Sequence, residues 1–184
     1  MKKIVLTFGL ISGALLSAMM LLSLPFMHKI GMDNGMILGY TTMVIAFLLV
    51  FFGVRSYRDN VGGGKVGFGR AFVVGFLISV VSSCCYVATW QVVYFNELVP
   101  DFIAEYQEHT LDQARSEGKS AEAIAKMKTE MDEFAVTYQN PVFNAAITFL
   151  EPLPVALIVS LVTAGVLGRR KRPGAEMKEP SPAG

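Results

Sequence analysis

Residues Ala71 to Phe95 read AFVVGFLISVVSSCCYVATWQVVYF, without one Asp, Glu, Lys or Arg. A helix needs roughly 20 apolar residues to cross a hydrocarbon core about 30 Å thick, and this stretch supplies them. On either side lie three further runs nearly free of charge: Ile4–Phe26, Met36–Val54 and Val142–Leu167. A chain of 184 residues is long enough to bury a soluble core, so length decides nothing. The distribution of apolar residues decides it. The expected fold is all-α and polytopic, with four transmembrane helices at about 4–26, 36–54, 71–95 and 142–168.

The segments between the runs are sorted by sign. Lys2-Lys3, the connection holding Arg55, Arg58, Lys65 and Arg70 against Asp59, and Arg169-Arg170-Lys171-Arg172 are basic. The connection Asn96–Asn140 is acidic, so the net charge of +1 averages two opposed populations. Lys/Arg bias in short loops marks the cytoplasmic side. Every segment agrees on cytoplasmic N- and C-termini, with the His28–Gly35 link and the acidic insert outside. A bacterial cytoplasmic (inner) membrane is the expected location, with Tyr86, Trp90 and Tyr94 as an interfacial belt. The basic clusters are short and lack interleaved aromatics, which excludes a nucleic-acid surface. Arg55, Arg58, Lys65 and Arg70 instead suit anionic lipid headgroups, each contributing on the order of 1 kcal/mol. The opening also resembles a secretory signal. Its apolar run continues through Met19-Met20-Leu21-Leu22 to Phe26, however, which favours an uncleaved first span.

The insert 96–141 is read as an extracytoplasmic two-helix amphipathic hairpin. Phe102, Ile103, Tyr106 and Leu111 share one side of its first helix, opposite the stripe Asp101, Glu105, Glu108, Asp112. Gly118 ends that helix and Ser120 caps the next. Ile124, Met127, Met131, Phe134 and Tyr138 then recur at helical spacing, until Asn140-Pro141 ends or bends it. Residues 1–172 form the membrane domain. The Pro-containing tail 173–184 is expected to be disordered.

Chemistry is sparse. Gly62-Gly63-Gly64-Lys65-Val66-Gly67 satisfies G-x-G-x-x-G, yet it joins two membrane spans, so it reads as a turn. Small residues at spacings of four (Gly9, Gly13, Ser17; Gly75, Ser79, Ser83; Ser160, Ala164, Gly168; Gly35, Gly39) permit close helix approach. That approach serves packing inside the bundle or association of two copies. Cys84 and Cys85 diverge by about 100° on a helix and suit packing, not a disulfide or a metal. Glu105 and His109 stand four apart, but no second histidine lies near, so a solvated acidic face is expected and no metal or cofactor. Glu151, in Leu150-Glu151-Pro152-Leu153-Pro154, is the acid inside an apolar run. Placing Gly168 at the inner boundary puts Glu151 roughly 25 Å away, near the outer interface. It is either an interfacial Glu at a bend or a functional carboxylate, with Gln91 or Tyr94 as its partner. No nucleophile elbow or HExxH pattern appears.

These landmarks together resemble the bacterial membrane family known as domain of unknown function 4199. The resemblance rests on Gly9-x-x-x-Gly13, on Phe52 to Asp59, and on Gly64 to Phe72 with Gly75. It continues with Asn140-Pro141 and Glu151-Pro152-Leu153-Pro154, covering about Lys3 to Arg172. It implies four spans and supplies no activity. The reading that follows is a non-enzymatic accessory or assembly component in the lipid bilayer. Its acidic hairpin contacts a membrane or periplasmic protein partner. A homo-oligomeric transporter or channel using Glu151 is the alternative.

Overall fold

A computed structural model of the protein describes residues 1–168. Arg169 to Arg172 and the expected tail at 173–184 lie outside the described residues. Its helices are α1 (Lys2–Ser23), α2 (Met27–Ile30), α3 (Met32–Asn60), α4 (Phe68–Phe95), α5 (Phe102–Ser116), α6 (Ala121–Tyr138), α7 (Pro141–Leu150) and α8 (Leu153–Leu167). A 3-10 turn, Leu24–Phe26, separates α1 from α2. Four stretches are long and apolar enough to cross a membrane: Lys2–Phe26, Met32–Asn60, Phe68–Phe95 and Pro141–Leu167.

One boundary differs from expectation, and the bend expected at Glu151 is a full break. α3 runs past Val54 to Asn60, so Arg55 and Arg58 stand on helix rather than in a loop. The fourth run is two helices. Pro152 and Pro154 lack the N–H groups that would bond the Thr148 and Leu150 carbonyls, and the helix breaks there. The halves then acquire different neighbours: α8 packs on α3 and α4, whereas α7 packs on α4 and α6.

α4 is the central helix, in contact with α1, α3, α7 and α8. Missing side chains set its distance from α1. A Cβ at Gly9 would stand 2.6 Å from the Val81 Cβ, and one at Gly13 would stand 2.6 Å from the Cys85 Cβ. One turn further, Thr89 Oγ1 donates to Ser17 Oγ at 2.7 Å. The Gly9–Gly13–Ser17 ladder therefore packs inside the bundle. So does Gly75, whose Cβ would meet Val50 at 3.1 Å and Ser160 Oγ at 3.5 Å. Gly35 and Gly39 depart from the pattern, because a Cβ at either meets nothing within 4 Å. Phe47, Val50, Val74 and Ile78 are fully buried and fill the half of the bundle nearest the basic connection.

Local chemistry ends the helices where the sequence indicates. Gly118, at φ 74°, closes α5 with Lys119 N–H on Ala114 C=O (3.1 Å) and its own N–H on Arg115 C=O (3.0 Å). Ser120 Oγ then accepts from Ala123 N–H, and Asn140 Oδ1 accepts from Val142 and Phe143 N–H at the start of α7. The same left-handed closure ends α4, but with Glu97 at φ 54° in the position glycine usually takes.

Two substitutions test this packing. Gly13→Leu should destabilise by about 1–3 kcal/mol through overpacking against Cys85. Gly35→Ala, facing open space, should be neutral or stabilise by up to ~1 kcal/mol. Reversible unfolding in mixed detergent micelles reads both, and equal effects would remove the case for a glycine-dependent α1–α4 contact.

Candidate functional site

A buried polar network joins α4, α6 and α7. Asn144 is fully buried. Its Oδ1 accepts from Gln91 Nε2 at 2.7 Å, and its Nδ2 donates to the Tyr138 carbonyl at 3.4 Å. Trp90 Nε1 donates to the Tyr138 hydroxyl at 2.9 Å, which lies 3.3 Å from Thr148 Oγ1. Around these bonds the rings interlock, Trp90 edge-on to Phe102 (4.9 Å) and Tyr94 edge-on to Tyr138 (5.2 Å). Phe102 and Tyr138 thus anchor α5 and α6 to α4. Asn144 and Thr148 were not singled out in the sequence, although polar residues four apart in an apolar run were the available signal.

The expected partners of Glu151 need correction. Gln91 is taken by Asn144, and Tyr94 stacks among the aromatics. The Tyr86 hydroxyl donates to Glu151 Oε2 instead, at 3.1 Å. Helix register explains the difference. Gly168 abuts Phe68 and Ser160 abuts Gly75, so α8 and α4 run antiparallel, and stepping back from there brings Glu151 level with Tyr86 and Asn144 level with Gln91. Tyr86 accordingly lies below the aromatic belt expected for it.

The depth of Glu151 changes too. α1 runs parallel to α4 in the register Gly9–Val81 and Gly13–Cys85, which brings Lys2 and Lys3 level with Gly75, beside Val54 and Arg55. The basic ring therefore sits well inside the ends of α4 and α8, so a count from Gly168 overstates the distance. From the level of that ring to Tyr86 is about 16 Å of helix, and from Tyr86 to Asn96 about 15 Å. Glu151 stands halfway between the polar ends of the bundle, where an ionisable group is costly unless it faces a cavity or a partner. It has both.

The cavity is a half-open groove of about 1010 Å³, roofed by α5 and α6 and walled by the adjoining ends of α1, α3 and α4. Leu16, Met43, Tyr86 and Glu151 lie at its deep end; Gly35, Gly39 and Tyr40 line the α3 wall. The break at Pro152 contributes to it, since α7 follows the roof while α8 stays with α3. On the roof, His109 Nε2 lies 3.0 Å from Asp33 Oδ1 and straps α5 to the first turn of α3. That strap occupies the histidine expected on a solvated acidic face. Among the described residues, no three His, Cys, Asp or Glu side chains are grouped to hold a metal ion.

The remaining sequence candidates stay apart from this groove. Arg58 Nε donates to Asp59 Oδ1 at 2.8 Å, and Arg55 Nε lies 3.8 Å from Asp59 Oδ2. Lys65 and Arg70 are exposed beside them. The Gly62–Gly64 segment is a tight turn: Gly63 and Gly64 have positive φ, and a Cβ at Gly62 would stand 2.3 Å from the Lys65 carbonyl oxygen.

The network makes a quantitative prediction. Asn144→Leu strands the Gln91 amide, and should cost about 1–3 kcal/mol. Trp90→Phe and Tyr138→Phe together should show coupling of roughly 0.5–1.5 kcal/mol in a double-mutant cycle. Additive effects in detergent unfolding would mean that the indole bond does not hold the helix pair down.

Searches of curated proteins and of solved structures each gave no match. A family model described as "Protein of unknown function (DUF4199)" matches residues 7–169, which takes in most of the first apolar stretch, the other three, the helix pair and the Glu151 break. The chain belongs to that family.

Proposed function

We propose that this chain is a non-enzymatic accessory protein of a bacterial cytoplasmic membrane, with both termini cytoplasmic and α5–α6 forming an acidic hairpin on the outer face. The observation that carries the reading is the groove of about 1010 Å³ between that hairpin and the bundle. Small-molecule sites are concave, mostly apolar, and carry a few placed polar groups, and this groove has that character. The hairpin's apolar faces turn toward the bundle and line the groove, so interaction falls there and to its acidic rim.

A transporter using Glu151 is the second reading, and the depth of that carboxylate favours it. The packed inner half counts against it, since Phe47, Val50, Val74 and Ile78 leave no opening there within one chain. Binding without conduction is the simpler use of the site.

Orientation and interaction are tested separately. In a Cys84→Ser/Cys85→Ala background, Lys119→Cys should react with a membrane-impermeant maleimide in intact cells. Gly64→Cys should react only after permeabilisation, and the reverse pattern would sink the orientation. A photo-crosslinker at Tyr106, on the groove, should capture a molecule other than the chain itself, whereas one at Val142, which is 79% exposed, should capture bulk lipid. Only intramolecular products from Tyr106 would end the binding reading.

A further inference from the structure

We infer that the groove's ligand is a hydrophobic organic cation: an ammonium or phosphonium centre carried on an apolar body. This inference rests on the reading of the groove as a binding site and names its ligand class. Four features of the wall converge on it.

The first is charge. Glu108 lies on the roof with Asp112, which pairs with Arg115, and Glu130, 3.8 Å from Lys126; Glu151 lies at the deep end, and no Lys or Arg lines the groove among the described residues. Among the described residues, the basic side chain there is His109, already facing Asp33. An anionic head would meet carboxylates at both ends of the cavity, so the complementary ligand is positive. The second is the depth of Glu151. Its Oε2 accepts from the Tyr86 hydroxyl and the residue is open to the groove, so a cation entering from the roof side meets a carboxylate about 15 Å below Asn96.

The third is the surface between those carboxylates. Tyr40, Trp90, Phe102, Tyr106 and Phe134 present aromatic rings, and Met20, Met43, Met127 and Met131 present flexible thioethers. Aromatic faces attract organic cations, and attract quaternary ones without needing hydrogen bonds. Methionines adapt to varied apolar shapes. A small hydrated metal ion would gain nothing from such walls, which excludes it as the matching ligand. The fourth is volume. About 1010 Å³ stands at the upper end of small-molecule cavities and accommodates a bulky cation.

The molecule carries its own probe. Trp90 is the single tryptophan, and it lines the groove. Tetraphenylphosphonium and tetraphenylborate are near-isosteric ions of opposite charge, and are titrated in turn against the full chain in lipid nanodiscs while Trp90 emission is read. The phosphonium should give a saturable change, weakened at least tenfold by Glu151→Gln. The borate should give only the non-saturable change of partitioning into lipid. Gly39→Leu fills the groove from a position where a Cβ meets nothing within 4 Å, so it should abolish the saturable signal without loss of fold. Circular dichroism and the unliganded Trp90 spectrum check that fold.

Saturable borate binding of equal affinity, lost in Gly39→Leu, overturns the charge inference and leaves the groove a binding site. Phosphonium binding unaffected by Glu151→Gln overturns the role of the deep carboxylate, and with it this inference. No saturable signal from either ion, together with no ligand captured from Tyr106, overturns both the inference and the groove reading beneath it.

Discussion

The amide of Asn144 holds the outer half of this molecule together. Sealed from solvent among apolar helices, its oxygen and nitrogen need partners within the protein. They are found on two other elements: the Gln91 side chain of α4 and the Tyr138 carbonyl at the end of α6. Because only two residues separate α6 from α7, these bonds fix the angle at which the chain re-enters the bundle. They also fix the helix pair above it. Trp90 and Thr148 close the network through one tyrosine hydroxyl. This clamp on α6 and the His109–Asp33 strap on α5 together position the roof of the groove.

The inner half is built on a different principle. In lipid, apolar side chains gain little by leaving one apolar neighbour for another, so close packing and satisfied backbone carry the association. Gly9 and Gly13 give α1 access to α4, and Ser12 and Ser82 hydroxyls reach carbonyls across the helix gaps at 2.9 and 3.1 Å. The outward faces of α3 and α8 keep Val44, Leu48, Phe52, Ile158, Val162 and Val166 exposed, as a lipid-facing surface requires. Stability thus comes from small residues below and from a polar and aromatic clamp above.

Much of this was legible in the sequence, for identifiable reasons. The apolar runs located the long helices because hydrocarbon thickness sets a length that few soluble helices reach. Ser120, Asn140 and Gly118 marked helix ends because capping is local chemistry. Glu151 and its two prolines marked the break in the fourth run for the same reason. The partners were not legible. Which residue of α4 faces Glu151 depends on how far each helix projects past the basic ring. That offset is a property of three packed helices and not of any one segment. Asn144 was passed over because an uncharged amide barely lowers the hydropathy of its run, though its burial makes it more consequential than the charged residues on the surface. Gly35 and Gly39 share the spacing of the packing glycines and differ only in what stands opposite.

The groove stops halfway through the bundle, above a packed and uncharged inner half, and this has an electrical consequence. In the proposed orientation, a water-filled groove would carry the potential of the outer solution down to Glu151. In a polarised membrane the voltage then falls across the remaining inner thickness alone, steepening the field there. A charge crossing the whole membrane exchanges about 2.3 kcal/mol per 100 mV. A cation moving only from the mouth to Glu151 exchanges almost none of it. Occupancy of the proposed site would then follow the composition of the outer solution and be insulated from the membrane's voltage.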